Sequence, residues 1–562
     1  MSVNAIDQRK PRAKVYSKSH SSAGKVISRI DENSLGDNEV TDVCFIFEVH
    51  QPFRLNRNFH ADLLARRRTT KEDLFDLYFD HQLNREVFDR AAQKCYFPAN
   101  HAILEQIDRL KGNRKQFKVA YSLSGVFVEQ CERWSPDLLE SFKQLAQSGC
   151  VEFLEQTYYH SLASLFGPDQ SEFVDQIRMH RQLIKDLFNY EPRVVENTEC
   201  IYNNSIAKTL DFLGYRAVVT EGVERVLGWR SPNYLYKARG SDIRVLLRNY
   251  RVSDDIGFRF SSTRWEEWPL TAQKYSSWLA ASPGEVINIF IDYETFGEHH
   301  WPESGIHDFL KWLPGEVIKW DNLDWRMPSE VVERHNPVDE VDVFEYGTIS
   351  WADLERDTSA WIGNQMQLSC FESQKKLEPP IRELQDAELT KLWRYLQISD
   401  HLYYMSTKGG GPGDVHSYFS PLGTPVHAFA VYLKVISDLK ARISQELQRP
   451  DLIAKRILSA VPPSECFTFF QGFARPTNRS VTSLGEFTSA IESIESGSIE
   501  FHMERGDLER WFRQVVVDAD LADDIRKLSK RMLRGDQLRK ALLVILRRRI
   551  KQLQRAVSNV GE

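Results

Sequence analysis

Short, nearly continuous apolar runs recur across the first half of the chain. Most are rich in β-branched or aromatic residues and are too short for helices, as is typical of strands buried on both faces. Stretches with apolar residues at helical spacing, such as 173–188, lie between them. The pattern predicts seven strands, at residues 43–49, 118–122, 151–154, 193–197, 217–220, 244–247 and 286–291.

Strands that are buried on both faces and alternate with helices form parallel sheets covered by those helices. Seven such units between residues 43 and 291 predict an α/β fold, an incomplete TIM-like (β/α)7 barrel with one strand fewer than the usual eight. A doubly wound open sheet is the alternative, but no GxGxxG motif follows the first strand.

Polar side chains follow several of these strands, at the point where each strand ends. His50 follows the first strand, His160 the third, Glu199 the fourth, and Asp292 and Glu294 the seventh. In barrels of this type the carboxyl ends of the strands carry the active site. Acids and histidines at several strand ends of one barrel therefore predict an active site at that face.

Two carboxylates that face one pocket suit the cleavage of a glycosidic bond, in which one attacks or stabilises the sugar and the other protonates the leaving oxygen. The best pair is Glu199 and Asp292, because each lies just beyond an apolar strand. Apolar surroundings and like charges raise a carboxyl pKa, as a proton donor requires. Glu294 follows Asp292 by two residues, so it either assists or holds a neighbouring His or Arg.

Five motifs occur in a fixed order along residues 40–410. They are HQP at 50–52, GCVEF at 149–153 with TYYHSL at 157–162, NTECIY at 197–202, DYETFGEH at 292–299 and LQISDHLYYM at 396–405. In order and spacing the set resembles glycoside hydrolase family 57, the α-amylase and 4-α-glucanotransferase family. It is most similar to the short bacterial and archaeal α-amylase-like members.

The resemblance implies a (β/α)7 barrel with a helical segment packed on it, and retaining cleavage of α-1,4-glucosidic bonds in an α-glucan or a maltooligosaccharide. Glu199 would be the nucleophile that forms a covalent glucosyl-enzyme, and Asp292 would be the acid and base, with the two carboxyl groups ~5–5.5 Å apart. Residues 348–364 resemble a segment of the same subgroup. The implied substrate-binding residues are His50, His160, Glu294, Asp400, Tyr403 and Trp351.

The sequence departs from the family pattern at two positions and leaves other functions open. Thr198 stands where many members have Pro, and Tyr403 where many have Trp. A 4-α-glucanotransferase would use the same site, with a sugar in place of water as the acceptor. The alternatives of another class are a metal-dependent deacetylase or α-mannosidase-like barrel and a non-catalytic glucan-binding regulator. The resemblance implies no metal and no cofactor.

Composition and charge indicate the cellular compartment of the protein and the classes of partner that it lacks. The chain has 562 residues and a net charge of −6, so no global cationic field draws it to nucleic acid. Its seven cysteines are scattered, without a CxxC pair, which favours a reducing compartment over a disulfide framework. No apolar run reaches the ~18–20 residues of a membrane span. We therefore predict a cytoplasmic protein with no membrane or nucleic-acid partner.

The pattern divides the chain into four parts. Residues 1–40 are predicted as a disordered basic arm, 41–310 as the catalytic barrel, 311–460 as a helical segment and 465–562 as a small, mostly α module. The module resembles an uncharacterised small domain attached to sugar enzymes. Its end, 526–555, holds twelve Lys or Arg and one acid. A helix docked by its apolar stripe is the preferred interpretation, and binding to RNA or an anionic surface is the alternative. A glycine-rich loop at 409–413 is placed over the cleft.

Overall fold

The computed structural model describes residues 40–60, 71, 73–408 and 420–558. The predicted arm before residue 40 and the glycine-rich loop at 409–413 lie outside the described residues. The described strands are β1 (Thr41–Val49), β2 (Val119–Leu123), β3 (Val151–Leu154), β4 (Val194–Glu196), β5 (Ala217–Glu221), β6 (Tyr236–Ala238), β7 (Arg244–Arg248), β8 (Val286–Asp292), β9 (Leu323–Trp325), β10 (Glu340–Val341), β11 (Phe467–Gly472) and β12 (Arg475–Val481).

Seven parallel strands form a closed ring in the order β1, β2, β3, β4, β5, β7, β8 and back to β1. Two joints of the ring are short: a single bridge, Glu155 to Val195, joins β3 to β4, and a single pair, Arg248 to Asn288, joins β7 to β8. These seven strands are the seven predicted ones. The (β/α)7 prediction is confirmed.

Three further strands of the sheet were not predicted. β6 runs antiparallel to β7, β10 pairs with β6, and β9 lies beside the first residues of β1. Each has only two or three residues, so no apolar run marks it. β9 and β10 fall within the stretch 311–460, which was predicted as a helical segment, and the sequence pattern did not indicate these two short strands.

Helices surround the ring and continue beyond it. Those of the barrel are Leu74–Tyr78, His81–Ala91, Phe97–Leu110, Gly125–Trp134, Pro136–Gln147, Ser171–Phe188, Asn204–Phe212, Glu224–Leu227, Tyr250–Gly257, Ala272–Ala281, Ile306–Val317 and Pro328–Arg334. Those that follow are Ser359–Ile362, Gln365–Leu384, Ala387–Tyr395, Ser399–Tyr403 and Pro425–Glu446. None of the helices in the described part of the chain is long and apolar enough to cross a membrane.

The short helix Ser399–Tyr403 brings the helical segment to the mouth of the barrel. The backbone N–H of Ser399 donates to the carbonyl of His160 at 2.9 Å, and Ser161 forms an antiparallel bridge with Ile398. Side-chain caps from Asn364 and Asp386 begin the two longer helices before it. Residues nearly 240 positions apart in sequence, such as His160 and Ser399, are therefore fixed against one another.

The C-terminal residues pack around a core of their own, which extends from Ala454 to Leu553. The hairpin β11–β12 and the helices Pro450–Leu458, Leu484–Ser493, Ser496–Arg505, Asp507–Gln514, Ala519–Ser529 and Gly535–Ser558 contribute to it. The hairpin lies within the predicted module 465–562 but was not predicted as strands, and the helix Pro450–Leu458 lies before the predicted start of the module. The division of the chain into barrel, helical segment and module remains our proposal.

The basic terminal helix, Gly535–Ser558, docks on this core through Leu538, Leu542, Leu546 and Leu553. Several of its cations pair with acids of the same module: Arg547 with Glu492, Arg548 with Asp524, and Arg549 with Asp518. These pairs hold the helix to its neighbours, which favours the docked helix over a surface for RNA.

Candidate active site

Six of the predicted site residues meet at the carboxyl ends of the barrel strands. Glu199 follows β4, Asp292 ends β8, and His50 and His160 follow β1 and β3. Asp400 and Tyr403 come from the helix Ser399–Tyr403. The two proposed catalytic carboxyl groups lie in one site. They are close enough for the charge of Glu199 to raise the pKa of Asp292.

Glu199 lies on a strained turn, Thr198–Cys200. Its φ is +62°, and that of Cys200 is +53°, in the left-handed region that costs a non-glycine residue about 1–2 kcal/mol. The turn is held by the backbone N–H of Cys200, which donates to the Glu196 carboxylate at 3.0 Å, and by Thr220, which donates to the Cys200 carbonyl at 2.7 Å. Such strain persists where the surroundings enforce it, and it is frequent at functional sites.

Both oxygens of the Glu199 carboxylate accept a hydrogen bond. The indole N–H of Trp351 donates to Oε2 at 2.8 Å, and the Ser399 hydroxyl donates to Oε1 at 2.8 Å. Nε2 of His160 lies 3.5 Å from Oε1. The donors fix the orientation of the carboxylate and stabilise its negative charge.

Trp351 therefore acts on the carboxylate itself. Besides donating to Glu199, its ring stacks on Phe290, with 5.0 Å between the ring centroids. Phe290 lies on β8, two residues before Asp292, so the indole spans from the β4 end to the β8 end. A contact of this ring with sugar stays a prediction.

Asp292 has the opposite environment. It is the last residue of β8 and is partly buried. No donor among the described residues hydrogen-bonds to its carboxyl group. Burial, and next the charge of Glu199, raise the pKa of Asp292 to about 7, against the opposing effect of Arg248 and His160. This carboxyl group can hold a proton near neutral pH.

Glu294 lies beneath the rim of the site. It accepts hydrogen bonds from the Tyr96 hydroxyl and, at 3.3 Å, from the backbone N–H of His50. Burial and the charge of Asp292 raise the pKa of Glu294 to about 8. These contacts correspond to the structural alternative for Glu294, a carboxyl group that holds a neighbouring histidine.

The two histidines are stacked, with 3.9 Å between ring centroids and 18° between ring planes. His50 hydrogen-bonds Ser124 at 2.7 Å and Asp400 at 3.1 Å, while burial and then His160 lower its pKa to about 4. Burial also opposes protonation of His160, but the hydrogen bond and charge of Glu199 outweigh it and raise the pKa of His160. The two stacked rings therefore differ: the pKa is lowered for His50 and raised for His160.

The helical segment supplies the remaining groups. Burial opposes ionisation of Asp400, but the hydrogen bond from His50 lowers its pKa below the usual value. Tyr403 lies near Trp361, with 6.1 Å between the rings. Burial and the charges around it, including Glu199, raise the Tyr403 pKa.

Several residues of the site were not singled out from the sequence. Ser399 precedes Asp400 in the fifth motif, and Glu48 and Glu196 each lie within or at the end of an apolar strand. Arg248 is buried at the end of β7 and donates to the Phe290 carbonyl at 2.7 Å. For Glu48, Glu196 and Arg248 the available signal was a position near a strand end, which they share with the residues that were chosen, and for Ser399 it was its place in the fifth motif. Within the described ranges, no group of three or more His, Cys, Asp or Glu is arranged to hold a metal ion.

Comparison with known proteins places the chain in a family. The sequence model described as Glycosyl hydrolase family 57 matches residues 44–344. A candidate alpha-amylase of Methanocaldococcus jannaschii is 48% identical over 417 residues, which cover 73% of this chain and 86% of that protein. An alpha-amylase of Pyrococcus horikoshii is 28% identical over 261 residues, 45% of this chain and 38% of that protein.

A solved structure shows a similar fold. The crystal structure of 4-alpha-glucanotransferase from Thermococcus litoralis superposes with a TM-score of 0.50 at 16% identity, over 79% of this chain and 63% of that chain. The family match covers more than half of the 562 residues. The chain therefore belongs to glycosyl hydrolase family 57, as an α-amylase-like glycosidase or a related glucan-transferring enzyme.

Proposed function

We propose that the protein is a retaining, α-amylase-like hydrolase of α-1,4-glucans, with Glu199 as nucleophile and Asp292 as acid and base. The observation that carries the proposal is the contrast between the two carboxyl groups. Glu199 accepts two hydrogen bonds that stabilise its charge, and the pKa of Asp292 is raised to about 7 beside that charge. Environments that separate the pKa values of two carboxyl groups in this way assign the role of base or nucleophile to one and the role of acid to the other.

The reaction follows in two steps. The Glu199 carboxylate attacks the anomeric carbon while the Asp292 carboxyl protonates the departing glycosidic oxygen, so the C–O bond breaks and a glucosyl ester forms. In the second step the Asp292 carboxylate takes a proton from water, and the water oxygen attacks the same carbon and releases Glu199. The product keeps the configuration of the substrate.

The other residues are proposed to bind the sugar at the cleavage point. His50, His160, Asp400 and Tyr403 surround the two carboxyl groups and offer both donors and acceptors to hydroxyls. Glu294 would act through His50, because it accepts a hydrogen bond from the backbone N–H of that residue. Since all seven cysteines are free and six are buried, we retain the cytoplasm as the proposed location.

The test is incubation with maltooligosaccharides of defined length, with the products separated by chromatography and their anomeric form read by NMR before mutarotation. We expect shorter products with retained α configuration, and none from Glu199→Gln. Longer products beside the shorter ones would identify a 4-α-glucanotransferase with the same site. Activity abolished by chelators, or inverted products, would contradict the proposal, as would turnover by Glu199→Gln at the wild-type rate.

A further inference from the structure

Two buried acids lie directly below the proposed nucleophile. Glu48 is the penultimate residue of β1 and is 3% exposed, and Glu196 ends β4 and is fully buried. The two carboxyl groups are neighbours, because Glu48 contacts Gln156, Glu196 contacts Ser122, Gln156 and Ser122 are bonded to each other, and the charge of Glu196 acts on Glu48. The mechanism described above uses neither, and two buried carboxylates without cations between them are unfavourable unless a proton lies between them.

The donors around the pair can be counted. Oε1 of the Gln156 amide accepts from Nδ1 of His160 at 2.9 Å, so its Nε2 supplies two hydrogens. One goes to Glu48 Oε1 and one to the Ser122 hydroxyl, both at 2.8 Å. The Ser122 hydroxyl then donates its own hydrogen to Glu196 Oε2 at 3.1 Å.

The remaining oxygen of each carboxyl group shows which atom of the pair lacks a hydrogen-bond donor. Glu196 Oε1 accepts from the backbone N–H of Cys200 at 3.0 Å. Glu48 Oε2 is fully enclosed and receives no donor within the described part of the chain. An ionised Glu48 would leave this oxygen buried and unsatisfied beside another acceptor, whereas a protonated Oε2–H donates to Glu196 and completes the network.

We propose that Glu48 and Glu196 share a single proton, carried by Glu48, and that this acid pair positions Glu199 for attack. Glu196, as the ionised member, holds the N–H of Cys200 and with it the left-handed turn that presents Glu199. Glu48 acts through Gln156, whose amide oxygen orients His160 against Glu199. The role in catalysis rests on the proposed function, whereas the shared proton does not.

The electrostatic surroundings agree with this assignment. Burial, then the charge of Glu196 and the hydrogen bond with it, raise the pKa of Glu48 well above its usual range. The other titratable groups that face the pair are His160, with Nδ1 3.5 Å from Glu48 Oε1, Asp292 on β8 and the Cys200 thiol. The His160 ring favours ionisation of the pair, whereas the charge of Asp292 opposes it. Because these two effects act in opposite directions, a proton between the two acids is still needed.

The first experiment reads the proton without any substrate. Infrared spectra at pH 7 are compared between the wild-type enzyme and Glu48→Gln, in which the amide imitates a protonated carboxyl group. We expect the C=O stretching band of a buried carboxylic acid to be lost in Glu48→Gln. An unchanged band would overturn the proposal. This result stands whether or not the protein cleaves α-glucans, so it separates a failure of the acid pair from a failure of the proposed function.

The second experiment measures kcat and KM on maltooligosaccharides for both amide variants. Glu48→Gln keeps every hydrogen bond of a protonated Glu48, so we expect kcat within about threefold of wild type. Glu196→Gln replaces an acceptor by a donor facing Ser122 and Glu48, which displaces the turn, so we expect kcat about 100-fold lower with KM nearly unchanged. Equal losses in both variants, or the reverse order, would overturn the proposal.

Two further variants control for folding. Glu152→Gln changes a buried carboxyl group near the opposite end of β3 that accepts from the backbone N–H of Ser329, and we expect it to keep the wild-type kcat. If Glu196→Gln does not fold, Ser122→Ala removes one donor to Glu196 more gently, and we expect about a tenfold loss in kcat. A wild-type kcat in folded Ser122→Ala would contradict the positioning role.

Discussion

The end of β4 and the end of β8 each carry one carboxyl group to the mouth of the barrel, but they treat it differently. At β4 the chain leaves the strand through a left-handed turn, and Trp351 and Ser399 both donate to Glu199. At β8 the strand continues regularly to Asp292, whose carboxyl group receives no donor from the described residues. There, burial and the neighbouring charge of Glu199 raise the pKa.

The difference shows how similar side chains acquire opposite roles. Donors aimed at a carboxylate favour the charged form, whereas burial beside a like charge favours the protonated form. The two ends are also linked, because the charge held at β4 is what helps to keep the proton at β8. A substitution that alters the charge at the β4 end should therefore change the pKa of Asp292 at the β8 end.

Removing the carboxyl groups separates the two ends most strongly. We expect Glu199→Gln to lose at least about 10⁴-fold in kcat on both a glucan and 4-nitrophenyl α-maltoside. Asp292→Asn should lose about 10²–10⁴-fold on the glucan and far less on the nitrophenyl substrate, whose leaving group needs no proton. Steady-state kinetics with both substrates measures this. If Asp292→Asn loses the same factor in kcat on both substrates, the role of Asp292 as the acid is contradicted.

Removing the donors at β4 tests how Glu199 is held. Trp351→Phe keeps the ring over Phe290 but loses the N–H, and Ser399→Ala loses the hydroxyl. A hydrogen bond to a charged group contributes about 1.5–3 kcal/mol, so we expect kcat to fall about 10–100-fold in each. Trp134→Phe is the matched control, because that indole N–H has no partner within the described residues. A similar loss in the control would show that these effects come from packing alone.

The raised pKa at β8 predicts a pH-dependent change in stability. Folded Asp292 keeps its proton up to a pKa of about 7, whereas the unfolded chain releases it near the usual 3.8. The folded state therefore binds more protons between these values, and stability falls as the pH rises through that window. We expect Asp292→Asn to raise the melting temperature by about 2–4 °C more at pH 8 than at pH 4. Calorimetry that finds the same shift at both pH values would contradict the assignment.

The smallest expected effect concerns the residue before the nucleophile. Thr198 shares a 2.6 Å hydrogen bond with Thr157, and Asn197 before it is already extended, with ψ of 127°. Thr198→Pro fits that backbone and loses one neutral hydrogen bond, so we expect less than about a tenfold change in kcat. A loss as large as that of Glu199→Gln would mean that the turn depends on Thr198 more than on Glu196.

Much of the barrel and its site followed from local sequence pattern. The seven ring strands are short, nearly continuous apolar runs, and acids and histidines that follow parallel strands must meet at one face. His50, His160, Glu199 and Asp292 come together for this reason. Asp400 and Tyr403 were reached only through the resemblance to the family, because they come from a helix about a hundred residues beyond the last ring strand.

The missing features depend on contacts between distant residues. Trp351 and Ser399 donate to Glu199 from 152 and 200 residues away, which no local pattern encodes. The left-handed turn at Glu199 is enforced by Glu196 and Thr220 rather than by a glycine. Glu48 was one of several polar residues near the end of the first strand, and its role depends on Glu196, which the barrel brings next to it.

The most direct test of the two carboxyl roles is to trap the covalent intermediate. A 5-fluoro-α-glucosyl fluoride slows both steps but keeps a good leaving group, so the glucosyl-enzyme should accumulate. Digestion and mass spectrometry should find one fluoroglucosyl group on the peptide that contains Glu199, and none after Glu199→Gln. A label on another carboxylate, or steady turnover without any labelled peptide, would contradict the account.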